Sequence, residues 1–163
     1  PRLPRPHRNT RPRRCPPPPA RPDPPPPPPP PPGERVAKAG AVLVSGGLGG
    51  VMEAASQGAK KAGGVTIGIL PGTDKNEANP YIDYPIVTGL GEARNVLVVR
   101  NSDAVIALPG EFGTLSEIAF ALKSGKPVIG ISTWDISEKI IQTKNPEEAV
   151  ETAVKLIRSN RKQ

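Results

Sequence analysis

Short runs of apolar residues alternate along this chain with longer stretches in which apolar positions recur at helical spacing. Ala41–Val44, Val65–Leu70, Asp103–Leu108 and Pro127–Ile131 are rich in branched residues and continuous rather than alternating, which predicts strands covered on both faces. Between them, Leu115, Ile118, Ala119 and Leu122 place one apolar stripe on a helix and leave Glu117 off that stripe. Further helices are predicted from the glycine-rich turn Ser45–Glu53 to about Ala62, ended by Gly63-Gly64, and over Gly91–Asn101; Glu34–Ala39 reads as the last turns of another, closed by Gly40. Pro85–Val87 and Ile140-Ile141 are short strand candidates. The final helix is the best marked, with Asn145 as N-cap, Pro146 at the first position, Glu147 and Glu148 in the first turn and Lys155 and Arg158 in the last. Its stripe of Ala149, Val150, Ala153, Val154 and Ile157 suits packing on a sheet. Strands alternating with helices predict an α/β domain with a three-layer parallel sheet and right-handed crossovers.

Composition divides the chain near Gly33. Residues 1–33 hold 18 of the 24 prolines, seven arginines, one acidic residue and the only His and Cys of the 163 residues. The formal charge of +7 therefore belongs almost wholly to this segment, leaving about +1 on the rest. The high charge gives no reason to expect nucleic-acid binding by the domain at 34–163. The run Pro24–Pro32 cannot pair as a strand or continue a helix, so a disordered or polyproline II tail is expected over 1–33. Three readings of it stand: a ligand for proline-binding modules, a basic arm for RNA, or the Pro/Arg/Ala-rich product of GC-rich DNA translated off frame. With Cys15 and His7 both in the tail, the domain has no thiol or imidazole. Disulfides, Cys/His metal sites and His-dependent triads are thereby excluded from it. No apolar run approaches the roughly 18 residues of a membrane span, and no signal-peptide core is present, so a cytoplasmic protein is expected.

Candidate chemistry gathers at two glycine turns, each between a strand and a helix. The first is Ser45-Gly46-Gly47-Leu48-Gly49-Gly50-Val51-Met52-Glu53; it has no Gly-Lys-Ser/Thr and lacks the third glycine of the dinucleotide fingerprint. It reads equally as an anion cradle or a tight connection. The second, Pro109-Gly110-Glu111-Phe112-Gly113-Thr114-Leu115-Ser116-Glu117, offers close backbone approach and a helix N-terminus to an anion. Thr114-Leu-Ser-Glu117 also reads as a capping box. Ligands of such sheets bind beyond the strand carboxyl ends, where both turns lie. The long loop from Pro71 to about Tyr84 is a candidate lid or part of the site. Arg94 is either a site cation or a solvated surface arginine. Trp134 falls in a loop.

With both turns and the Arg94 helix in view, residues 34–163 resemble the LOG family of Rossmann-like nucleotide-binding proteins, often labelled "possible lysine decarboxylase", in a branch similar to molybdenum-cofactor carrier proteins. The family signature Pro-Gly-Gly-x-Gly-Thr-x-x-Glu is met at Pro109, Gly110, Gly113, Thr114 and Glu117, with Glu111 at the second glycine position. The family's arginine matches Arg94, in a Glu92-Ala93-Arg94-Asn95 context that differs from the His-Glu-Arg-Lys of the hydrolases. The resemblance implies a bound nucleotide or other phosphorylated ligand, no required cofactor, and a homodimer. It implies Arg94 and Glu117 as catalytic residues for hydrolysis of the N-glycosidic bond of a nucleoside 5′-monophosphate. Gly46, Gly47, Gly49, Gly50, Met52, Pro109, Gly110, Gly113 and Thr114 would then line the ligand. The alternative it implies is a non-catalytic carrier of a phosphorylated pterin such as the molybdenum cofactor. Lysine decarboxylation would need pyridoxal phosphate on a Schiff-base lysine in a larger fold, and Lys126 reads instead as a helix C-terminal cation. The family's first strand, central in its sheet, is expected before Glu34, where the proline tail stands; an incomplete sheet and marginal stability are therefore expected.

Overall fold

The computed structural model describes residues 32–160. The tail expected over residues 1–33 lies, up to residue 31, outside the described residues. Its last two members belong to the domain instead, because Pro32 and Gly33 are buried and open α1 (Gly33–Lys38). A Cβ on Gly33 would overlap the Ala55 carbonyl, so the glycine lets two helices touch backbone to backbone.

From there the chain runs through β1 (Leu43–Ser45), α2 (Val51–Lys61), β2 (Thr66–Leu70) and β3 (Tyr84–Val87). A 3₁₀ turn at Gly91–Arg94 leads into α3 (Asn95–Arg100), then β4 (Val105–Ala107), α4 (Phe112–Lys123), β5 (Val128–Ile131), β6 (Ile140–Thr143) and α5 (Pro146–Asn160). The helix expected over Gly91–Asn101 is thus broken into two pieces, with Arg94 at the joint. All strand pairing is parallel, as expected. Among the described residues it forms two ladders, β1-β2-β3 and β4-β5-β6, in which β1 and β4 each pair along one edge.

The second ladder shows why continuous apolar runs make these strands. Val105, Ala107, Val128 and Ile140 face a core shared with Val99 of α3 and Ile118 and Ala121 of α4. Ala104, Ile106, Leu108, Ile129 and Ile131 point the other way, into a core closed by Ala149 and Ala153 of α5. Successive residues feed opposite faces and both faces are covered, which gives the three layers. α5 begins where its sequence says it should: Asn145 Oδ1 accepts the Glu148 N–H at 2.9 Å, with Pro146 as the first helical residue. In the first ladder α1 packs on α2, and α2 on β1 and β2. The loop after β2 is tied back by Asp83, which accepts from Lys60 Nζ at 2.8 Å and from the Thr66 N–H at 2.9 Å. Lys60 first, then Thr66, hold the Asp83 carboxyl below its usual range.

The halves meet at two places at least. Arg35 of α1 pairs with Glu147 of α5 at 2.8 Å, and the turn carrying Arg94 packs on β2 while α3, which continues from it, packs on α4. Among the described residues no helix is long and apolar enough to cross a membrane, and no group of three His, Cys, Asp or Glu is placed to hold a metal ion.

Candidate functional site

The first glycine turn leaves the carboxyl end of β1 and enters α2. Gly47 and Gly50 hold φ of +73° and +69°, the left-handed region that glycine reaches without strain. A Cβ on Gly47 would also crowd Leu70 Cδ2 at 2.8 Å and Gly68 Cα at 3.0 Å. The turn is staked by Asn79, whose side-chain amide donates to the carbonyls of Gly47 at 3.2 Å and Leu48 at 2.9 Å. The long loop is therefore in part the buried support of this turn. The first helical bond of α2 runs from Ala54 N–H to Gly50 O at 3.0 Å, so the N–H groups of Val51, Met52 and Glu53 lack a partner within the helix. Glu53, however, places a carboxylate in that first turn.

The second turn leaves β4 and enters α4. Its first helical bond joins Leu115 N–H to Glu111 O at 3.2 Å, which leaves the N–H groups of Phe112, Gly113 and Thr114 as the free donors of the helix. The first turn of α4 contains no acidic residue. The capping box does not form. The helix starts at Phe112 with Glu111 as its N-cap and no side-chain cap bond, so Thr114 already lies inside the first turn and cannot cap it. Thr114 Oγ1 instead sits against Gly110, where a Cβ would overlap it. Glu111 is exposed.

Arg94 lies between the two turns. It is 8% exposed, and a Cβ on Gly46 would overlap its guanidinium, so the glycine makes room for the cation. Its Nε and Nη1 are buried without a hydrogen-bond partner. Burial lowers the Arg94 pKa from its usual value and the Glu117 carboxylate opposes that shift. Burial likewise raises the Glu117 carboxyl, with Arg94 pulling the other way. The two charges thus act on each other through space while the guanidinium keeps free donors. Next to Arg94, Asn95 donates to Ser116 Oγ at 3.0 Å, and that hydroxyl donates to Gly113 O at 2.7 Å. This chain of bonds fixes the Arg94 turn to the first turn of α4.

The family model of the SLOG cluster4 family matches residues 31–160. The chain belongs to the SLOG cluster4 family. An uncharacterized protein of Archaeoglobus fulgidus is 48% identical over 118 residues, covering 72% of this chain and 78% of that one. The cytokinin riboside 5′-monophosphate phosphoribohydrolase of Mycobacterium tuberculosis is 33% identical over 63% of this chain, which spans 59% of that enzyme's length. Among solved structures, the molybdenum cofactor binding protein of Rippkaea orientalis superposes with a TM-score of 0.73 at 44% identity, covering 77% of this chain and 83% of that one. The LOG-type relative and the carrier-type neighbour correspond to the two branches expected from the glycine signature.

In this SLOG cluster4 chain the structure brings Gly46, Arg94, Gly113 and Glu117 into one neighbourhood through the overlaps, charges and bonds above, while Thr114 sits against Gly110. Gly47 and Gly50 serve the turn's backbone, and Gly49 has only Glu53 Oε2 nearby, at 3.7 Å from the position of its Cβ. Met52 is half-buried in the first turn of α2, and Pro109 and Gly110 are exposed. Lys126 Nζ donates to the carbonyls of Arg100, at 3.0 Å, and Ser102, at the carboxyl end of α3. Sequence reasoning passed over Asn79, Asn95 and Ser116. Asn79-Pro80 was legible only as a turn, and the Asn95–Ser116 bond joins residues whose proximity no local pattern reveals.

Proposed function

We propose that this protein binds a phosphorylated small molecule in the crevice between Arg94 and the amino end of α4. One observation carries the reading: a guanidinium 8% exposed whose Nε and Nη1 have no partner. Unpaired buried donors cost about 1–3 kcal/mol each and more when charged. A phosphate supplies the acceptors that would relieve this, with charge-assisted bonds to Arg94 and further bonds to the N–H groups of Phe112, Gly113 and Thr114.

The finer chemistry we favour is hydrolysis of the N-glycosidic bond of a nucleoside 5′-monophosphate, supported by the likeness to the mycobacterial phosphoribohydrolase. Arg94 would hold the substrate's charge, and Glu117 would stabilise an oxocarbenium-like ribose or activate water. Incubation with AMP followed by chromatography is the test, with free adenine as the expected product. AMP that binds and returns intact would leave binding alone. The second reading is a carrier of a phosphorylated pterin such as the molybdenum cofactor. It is favoured by the likeness to the Rippkaea orientalis protein and by Ala93 and Asn95 flanking Arg94 where the hydrolases differ. Native purification that retains a ligand with pterin fluorescence would decide for it. A cytoplasmic homodimer completes the proposal; light scattering on the purified chain tests the dimer.

A further inference from the structure

At the rim of the second glycine turn two aromatic rings have no visible task in building the fold. Phe112, the first residue of α4, is 78% exposed. Its ring stacks on that of Trp134, with centroids 6.2 Å apart and planes inclined by 30°. Trp134 is held firmly against the turn, since its indole N–H donates to Gly110 O at 2.9 Å. The preceding Thr133 hydroxyl donates to Leu108 O at 3.0 Å, and Ser132 before it holds a φ of +48°. Ser132 is the one non-glycine residue with positive φ among the described residues, in a region that side chains enter only under constraint. β5 therefore ends in a strained residue followed by two side-chain anchors onto the carboxyl end of β4 and its turn. The result of this construction is a fixed indole backing a phenyl ring that remains mostly in water. Leaving so large an apolar surface exposed forgoes the stabilisation its burial would give.

We propose that Phe112, backed by Trp134, is a stacking platform for a planar heteroaromatic ring carried by the phosphorylated ligand. The proposal rests on the reading that phosphate sits at the amino end of α4. Phe112 supplies both one of the free N–H donors there and the ring, so platform and phosphate site lie within one residue of each other. Stacking of this kind tolerates different rings because every such ring has a π face. Purine and pterin share this chemistry, and the probes below tell them apart.

The test uses the full chain with AMP, neopterin monophosphate and ribose 5-phosphate, which carries the phosphate without a ring. Trp134 is the only tryptophan of the chain, so its emission reports on the platform, while calorimetry gives affinities. The expected result is that at least one ring-bearing probe quenches Trp134 and binds more tightly than ribose 5-phosphate. Phe112→Ala then weakens that probe by about tenfold and leaves ribose 5-phosphate unchanged, as expected from losing one stacking contact. Phe112→Leu behaves like Phe112→Ala, whereas Phe112→Tyr keeps the affinity. A loss confined to AMP, or to neopterin monophosphate, supports the platform and names its ring. An equal loss for all three probes, or none for any, overturns the platform while leaving the phosphate site standing. Failure of all three to bind the unmodified chain overturns the phosphate reading and the platform with it.

Discussion

At the amino end of α2 the chain supplies its own anion, Glu53, whereas the first turn of α4 holds no acidic residue and leaves three N–H groups free. Both turns follow a parallel strand, both are rich in glycine, and both open a helix more than ten residues long. Their glycines serve different ends. In the first turn they permit left-handed backbone, close packing on Gly68 and the approach of the Arg94 guanidinium, while Asn79 ties the carbonyls down. In the second they admit the Thr114 hydroxyl against Gly110 and keep the helix end open. A helix N-terminus attracts an anion in either case, but α2 carries Glu53 inside its first turn, whereas the carboxylate nearest the start of α4 is the exposed N-cap Glu111, which makes no cap bond. The first turn is a wall that accommodates the cation; the second is the place with donors to spare.

The sharpest way to break this contrast is to remove the cation that the wall accommodates. Arg94→Met should weaken AMP by about a hundredfold, close to 3 kcal/mol. Thermal unfolding should show a smaller change than the binding does, because the buried unpaired donors leave with the side chain while Glu117 loses the charge beside it. Unchanged AMP affinity in calorimetry would falsify the site. Next in size, Asn79→Ala removes two donations to the first turn and one acceptance, from the Tyr81 N–H at 3.1 Å. It should cost about 2 kcal/mol of stability in denaturant titration with little change in AMP affinity; the reverse pattern would make the first turn part of the binding surface. Thr114→Asp places a carboxylate in the first turn of α4, as α2 already has, and should weaken AMP by about tenfold through repulsion. An affinity that stays put would mean that the helix end does not hold the phosphate.

The buried carboxyl gives a pH test. Glu117 is raised above its ordinary value of 4.5, so the folded state holds its proton more tightly than the unfolded state does. Its contribution to stability is complete below the unfolded value and is lost as pH rises through the folded one. Stability of the unmodified chain should therefore carry a downward component from about pH 4.5 upward that Glu117→Gln lacks, measured by unfolding across pH. The same variant, having no carboxylate beside Arg94, should bind AMP at least as well while releasing no adenine. The smallest effect is expected at Glu53→Gln, which removes a favourable charge from the amino end of α2 at a cost of about 0.3–1 kcal/mol and should leave AMP affinity as it was.

The periodic parts of this molecule were legible in its sequence because their causes are local. The four apolar runs became β1, β2, β4 and β5, and Asn145 and Pro146 start α5 as their chemistry dictates. The candidate site's residues could be named from the sequence, but their mechanics could not. Thr114-Leu-Ser-Glu117 has the spacing of a capping box, yet the helix begins at Phe112 with Glu111 as its N-cap, where the chain turns out of β4, and takes Thr114 inside. Whether Arg94 was solvated or buried depended on Gly46 and Glu117, which reach it from distant parts of the chain. Phe112, Trp134, Asn95 and Ser116 matter through contacts across elements, and nothing in their own neighbourhoods announces them.

The separate ladders give the crevice a further consequence. Among the described residues β1-β2-β3 and β4-β5-β6 share no strand pairing, and the Arg94 turn rests on the first ladder while the amino end of α4 belongs to the second. A phosphorylated ligand held as proposed, by Arg94 on one side and α4 on the other, would be a cross-brace between the two ladders. Its concentration then sets how firmly they hold: at a hundred times its dissociation constant the brace is worth about 2.7 kcal/mol. On this account a melting curve recorded with and without AMP measures the coupling between the halves as well as the occupancy of the site.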